Sequence, residues 1–86
     1  MKLDRNENPN GKGKYALLNL RTNKIEWGFV GDPDEFFVVK LRDAHAKDAL
    51  EAYAGSVVHD DPEFADEVWE LAMRAGADSP YCKAPD

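Results

Sequence analysis

No stretch of the 86 residues approaches the roughly 20 consecutive apolar positions that a membrane-spanning helix needs. Met1-Lys2-Leu3-Asp4-Arg5-Asn6 leads into polar residues where a secretory signal would carry an apolar core, so the cytoplasm is the expected compartment. Cysteine is almost missing as well. Cys82 stands alone, which excludes an intrachain disulfide as compensation for a small core. No internal repeat is present, and no nucleophile elbow surrounds Ser56 or Ser79, so triad chemistry has no local support. Histidine occurs twice, at His45 and His59. On a helix those two would stand about 21 Å apart, too far to share one metal ion within a chain.

What is present is a chain of 43% apolar and 33% charged residues, too hydrophobic to be disordered throughout and short enough to hold one modest core. Association with further copies is the expected remedy for a core of that size. The net charge of -6 conceals an asymmetry. Residues 1–24 carry six cations against two acids, and the remaining 62 carry five against fifteen. A protein this acidic repels a phosphate backbone, which argues against general nucleic-acid binding.

Along the chain, residues 1–14 combine Asn, Gly, Pro and Lys with little to bury and read as a flexible arm. Lys14–Arg21 and Lys24–Trp27, separated by Thr22-Asn23, read as a hairpin. Residues 28–34 are a loop. Glu35–Leu41, rich in aromatic and β-branched residues, reads as a third strand. Asp43 is the expected N-cap of a helix reaching Val58, with Ala46, Ala49, Leu50, Tyr53 and Val57 at helical spacing. His59-Asp60-Asp61-Pro62 punctuates, and a second helix runs to Gly76 on a stripe of Phe64, Ala65, Val68, Leu71, Ala72 and Ala75. Residues 77–86 are an irregular tail.

The order predicts an α+β domain over residues 15–76, a three-stranded antiparallel β-meander followed by two helices packed on one face. Alternation turns Leu18, Leu20, Ile25, Trp27, Phe37 and Val39 toward the helices. The opposite side keeps Tyr15, Leu17, Phe36 and Val38, and the second helix keeps Trp69 and Met73 off its stripe. Two surplus apolar surfaces predict a homo-oligomer interface on those six residues.

Four constellations resemble sites. Gly11-Lys12-Gly13-Lys14 has the glycines and charge of a phosphate loop but neither the spacing nor the preceding strand, and reads as solvated arm. Asp32-Pro33-Asp34-Glu35 begins like a calcium loop and then places Phe36 where a ligand is required. His59-Asp60-Asp61 is explained by helix punctuation. Arg21, Lys24, Trp27, Lys40, Arg42 and Tyr53 combine rings that stack on a base with cations that grip phosphate, and form the candidate ligand site; their plainer reading is core aromatics and strand-edge cations. No cofactor and no metal are called for.

Asn19-Leu20-Arg21-Thr22, Glu26-Trp27-Gly28, Asp34-Glu35-Phe36-Phe37-Val38, Lys40-Leu41-Arg42-Asp43, Ala52-Tyr53-Ala54, Asp61-Pro62-Glu63, Arg74-Ala75-Gly76 and Ser79-Pro80-Tyr81-Cys82-Lys83 together resemble small phage-encoded proteins of uncharacterised function. The resemblance covers residues 15–86 and assigns no residue a role. It implies a phage accessory protein working in the host bacterial cytoplasm against some host function. The leading expectation is a non-catalytic sponge that sequesters a small nucleotide-derived immune signal between subunits. The alternative is an acidic inhibitor that occupies the nucleic-acid channel of a host defence enzyme. An enzyme acting on a nucleotide would need His45 or His59 as a base.

Overall fold

The structure is a computed structural model that describes residue 3 and residues 10–84. Of the expected arm, residues 1, 2 and 4–9 lie outside the described residues, as do residues 85 and 86 of the tail. The class is α+β, built from a two-stranded antiparallel sheet and two helices packed together. The chain divides into two compact units, residues 1–38 and residues 39–86.

In the first unit, β1 (Leu17–Asn19) pairs with β2 (Lys24–Glu26) in the register Leu17↔Glu26, Leu18↔Ile25, Asn19↔Lys24. Asn19 organises the connection. Its Oδ1 accepts from the backbone N–H of Arg21 (3.0 Å) and of Thr22 (3.2 Å), and its carbonyl accepts from Asn23 N–H at 2.7 Å. Asn23 sits at φ 57°, the left-handed conformation that Asn tolerates better than most residues, so a turn without glycine closes.

The third strand expected over Glu35–Leu41 is not part of this sheet, whose strands are β1 and β2 alone among the described residues. Its start is drawn into a turn: Glu35 N–H donates to Asp32 O at 3.0 Å, and Glu35 Oε1 accepts from Gly31 N–H at 3.0 Å. The ring of Phe36 then lies on Gly28, where a Cβ would stand 2.5 Å from Phe36 Cε2. Strand propensity is a preference for a pleated, half-buried surface, and these local bonds serve the segment in another way.

In the second unit, α1 (Ala46–Val57) and α2 (Pro62–Ala72) pack on each other through small residues. The buried hydrophobics are Ala46 and Ala54 of α1, Ala65, Val68 and Ala72 of α2, and Ala75 after it. Alanine at the contact lets two helix axes approach closely. Asp61 caps α2, its Oδ1 accepting from Phe64 N–H at 3.1 Å, with Pro62 in the first turn. The expected cap of α1 is displaced by two residues. His45 holds the N-cap position, and Asp43 Oδ1 accepts from His45 N–H at 2.8 Å.

Nor does α2 reach Gly76. It ends at Ala72, and Gly76, at φ 59°, opens a short 3₁₀ helix (Gly76–Asp78) while its N–H donates to Leu41 O at 2.8 Å. The chain then returns beside the start of the unit, where Lys83 N–H donates to Arg42 O and Ala44 N–H donates to Lys83 O, both at 2.9 Å. Lys47 closes the arrangement: its Nζ donates to Ala72 O (3.1 Å) and Asp78 Oδ2 (2.8 Å) and lies 3.6 Å from Glu51. No helix of the described residues is long and apolar enough to cross a membrane.

Candidate binding surfaces

The six residues read as a ligand site fall into both units. Arg21, Lys24 and Trp27 belong to the first, and Lys40, Arg42 and Tyr53 to the second. Within the first unit, Lys24 and Trp27 help to line an open depression of about 350 Å³, whose other walls are Asn19, Thr22, Ile25, Glu26, Gly28, Phe29, Asp32 and Asp34. Arg21 is exposed in the hairpin connection and lies outside that lining.

The charge of the depression differs from what a phosphate ligand needs. Lys24 is opposed by Glu26, Asp32 and Asp34. Trp27 also meets a cation outside that lining: Lys12 Nζ lies 4.0 Å from the centroid of the Trp27 ring. Lys12 was expected in a solvated arm. The sequence carried a partial signal in Gly11-Lys12-Gly13-Lys14, but nothing in the spacing links it to Trp27. Asp32 and Asp34, expected only as acids of a turn, are the other residues that the sequence did not place at a site.

In the second unit, Lys40 is exposed and Arg42 half-buried, their carbonyls accepting from Asp43 N–H (3.0 Å) and Lys83 N–H (2.9 Å). Tyr53 meets Phe64 edge to face, with centroids 6.2 Å apart and planes at 83°. That contact joins α1 to α2, and it leaves Phe64, expected in the core, 42% exposed.

The residues read as an oligomer interface are also divided. Tyr15, Leu17 and Val38 are exposed in the first unit, with Phe36 half-buried on Gly28. Trp69 and Met73, one helical turn apart, are exposed in the second at 48% and 64%. Beside them α2 exposes Glu63, Asp66, Glu67 and Glu70. From Asp48 to Met73 the sequence has eight acids and no Lys or Arg.

Lys47 is the one described group whose ionisation is clearly shifted. The hydrogen bond to Asp78 holds its pKa above the ordinary 10.5, helped by the charges of Asp78 and Glu51 and opposed by partial desolvation. Among the described residues no group of three or more His, Cys, Asp or Glu side chains is placed to hold a metal ion, and Cys82 is an exposed free thiol. Comparison with protein-family models, with curated proteins and with solved structures gives no match.

Proposed function

We propose that the chain is a non-catalytic binding protein whose α2 surface engages a basic protein surface; in the phage setting implied by the resemblance, that surface is the nucleic-acid channel of a host defence enzyme. The observation that carries this reading is the row Glu63, Asp66, Glu67 and Glu70, exposed beside Trp69 and Met73 on a helix without a single cation. Glu63–Glu67 and Asp66–Glu70 are like-charge pairs at i,i+4, which weaken a helix by about 0.2–0.5 kcal/mol each. Glu70 also stands toward the negative end of the helix dipole, where the last turn holds no basic residue and Arg74, beyond it, donates to Glu70 O at 3.2 Å. Helix stability accounts for Glu63, which lies in the first turn, but not for the rest of the row. A cationic partner would, and the exposed Trp69 and Met73 supply the apolar anchors such an interface uses.

The test is competition. The wild-type protein is expected to displace duplex DNA from a nucleic-acid-binding defence enzyme, and the quadruple variant Glu63→Gln, Asp66→Asn, Glu67→Gln, Glu70→Gln, with its helices intact by circular dichroism, is expected to lose most of that ability. Equal competition by the variant overturns the reading.

A second reading, the nucleotide sponge, is favoured by Lys24 and Trp27 in the depression and by Lys12 Nζ 4.0 Å over the Trp27 ring. It requires assembly. The assembly it needs is a homo-oligomer built on Tyr15, Leu17, Phe36, Val38, Trp69 and Met73. Native mass spectrometry of protein taken from phage-responding cells separates the two. An oligomer carrying a nucleotide mass that is released unchanged supports the sponge, and a bare monomer sinks it.

A further inference from the structure

The run Glu35–Leu41 has the composition of a strand and no strand beside it in the sheet. Residues 35–40 belong to no helix and no strand, and among the described residues the backbones of Phe37, Val38 and Val39 make no hydrogen bond. Phe37 is 69% exposed, and Val38 and Val39 are 39% exposed each. Consecutive exposed aromatic and β-branched residues with such backbone groups form a template for another strand. The charges at the two ends of the run, Asp34 and Lys40, identify the chain that supplies it. Opposed side chains of an antiparallel pair share a face and alternate along each strand, so a two-fold pair sets one residue opposite its own copy. With Phe36 at that centre, Pro33 enters the ladder without an N–H to give. With Val38 or Val39 there, Lys40 falls opposite Phe36 or Val38. With Phe37 at the centre, Asp34 falls opposite Lys40 on both sides, Phe36 falls opposite Val38, and the two Phe37 rings meet. Of these registers, that one alone sets Lys40 against an acid while keeping Pro33 out of the ladder, and it pairs aromatic with aromatic or β-branched residues.

We propose that a second copy of the chain covers this segment, strand against antiparallel strand, about a two-fold axis at Phe37. Phe37 and Val39 then gather on one face of the pair. Phe36, whose ring lies on Gly28, shares the other face with Val38 and the two Asp34–Lys40 pairs. An isologous contact closes at two copies, so the run is capped and does not propagate into a fibre. The sequence turned Phe37 toward the helices; the dimer instead makes it the centre of self-association. The inference rests on neither functional reading above, since a dimer without nucleotide satisfies it and α2 takes no part.

The test has two arms, both on the full chain with helices intact by circular dichroism. In the first, Cys82→Ser removes the native thiol and is combined with Phe37→Cys or with Val39→Cys. At the axis two Cα atoms stand about 4.5–5.5 Å apart, within disulfide reach, whereas the two copies of residue 39 are offset by about 13 Å along the strands. Mild oxidation is expected to cross-link the Phe37→Cys protein to a dimer and to leave the Val39→Cys protein monomeric. In the second, sedimentation equilibrium follows Asp34→Lys, Lys40→Asp and the two together. Each single reversal acts on both charge pairs of the dimer and is expected to raise its dissociation constant roughly two- to thirtyfold, and the double variant to return it to near the wild-type value. A wild type that stays monomeric at NMR concentrations overturns the proposal, as do equal cross-linking at both positions and single reversals without effect. A dimer broken by Trp69→Ala and by neither reversal also overturns it, and assigns self-association to α2.

Discussion

The two units bury different kinds of residue. Every buried hydrophobic residue among those described belongs to residues 39–86, and all are alanine apart from Val68. In residues 1–38 the one described residue classed as buried is Gly28, while Leu18, Leu20 and Ile25 are 54%, 85% and 57% exposed. The helical unit thus gains its order from close backbone approach, one side-chain cap and the Lys47 contacts. The hairpin unit rests on three strand pairs, the Asn19 turn and one ring lying on one glycine. An isolated two-stranded hairpin is marginal in water, so amide exchange is expected to be faster in β1 and β2 than in α1 and α2.

The largest single effect should come from breaking the glycine contact of the weaker unit. Gly28 sits at φ 64°, and its Cβ would meet three atoms of the Phe36 ring at 2.5–2.9 Å. Gly28→Ala therefore combines left-handed backbone strain with overpacking, at a cost of at least about 2 kcal/mol. The expected readout is loss of the β1–β2 NMR signals with helical circular dichroism retained. Gly31, at φ 86° with open space around its Cβ position, is the control. If Gly31→Ala does equal damage, the Phe36 contact is not what holds the unit.

Glycines of the helical unit should split in sign. Gly76→Ala meets Lys47 Cβ at 3.0 Å in a residue at φ 59°, and is expected to destabilise by about 1–2 kcal/mol in denaturant unfolding. Gly55→Ala, inside α1 with nothing within 4 Å of the added methyl, should stabilise by about 0.5–1 kcal/mol. Asp61→Ala should come between them in size, about 1 kcal/mol of lost stability, because Phe64 N–H then has no cap. A neutral Asp61→Ala would mean that packing alone fixes the start of α2.

The same contrast explains what could be read from residues alone. Both helices, a cap at Asp60 or Asp61, Pro62 in the first turn and the Asn23 turn follow from local chemistry, which acts within four residues, and the structure places the cap at Asp61. The burial pattern did not follow, because it depends on what covers a face: Leu18 and Ile25 alternate correctly yet face solvent, and Phe64 sits on the expected stripe yet edges outward against Tyr53. Phe36 shows the limit most clearly. Its neighbours spell a strand, and its ring instead finds a glycine eight positions earlier, a pairing with no periodic signature. The depression was half legible. Trp27 and Lys24 follow from residue type, while Asp32 and Asp34 join them in its lining only through loop conformation.

The smallest effect concerns Lys47, and its sign decides whether the ammonium or merely the aliphatic stem matters. The folded pKa is raised above the ordinary 10.5, chiefly by the hydrogen bond to Asp78. A raised folded pKa means that the folded state binds the proton more tightly than the unfolded state. The stabilisation is then fully present below the unfolded value and lost as pH rises through the folded one. Lys47→Met keeps the stem against the helices and removes the donor to Ala72 O and Asp78. Near neutral pH the variant should unfold at a slightly lower temperature than the wild type, by less than any glycine variant above. The two melting curves should begin to approach each other only above about pH 10.5 and should converge once pH passes the raised folded value, where the wild type has lost the same interaction. A difference that persists unchanged through that range would assign the role of Lys47 to its aliphatic stem, and the second unit would then owe its order to the buried alanine contact and the Asp61 cap.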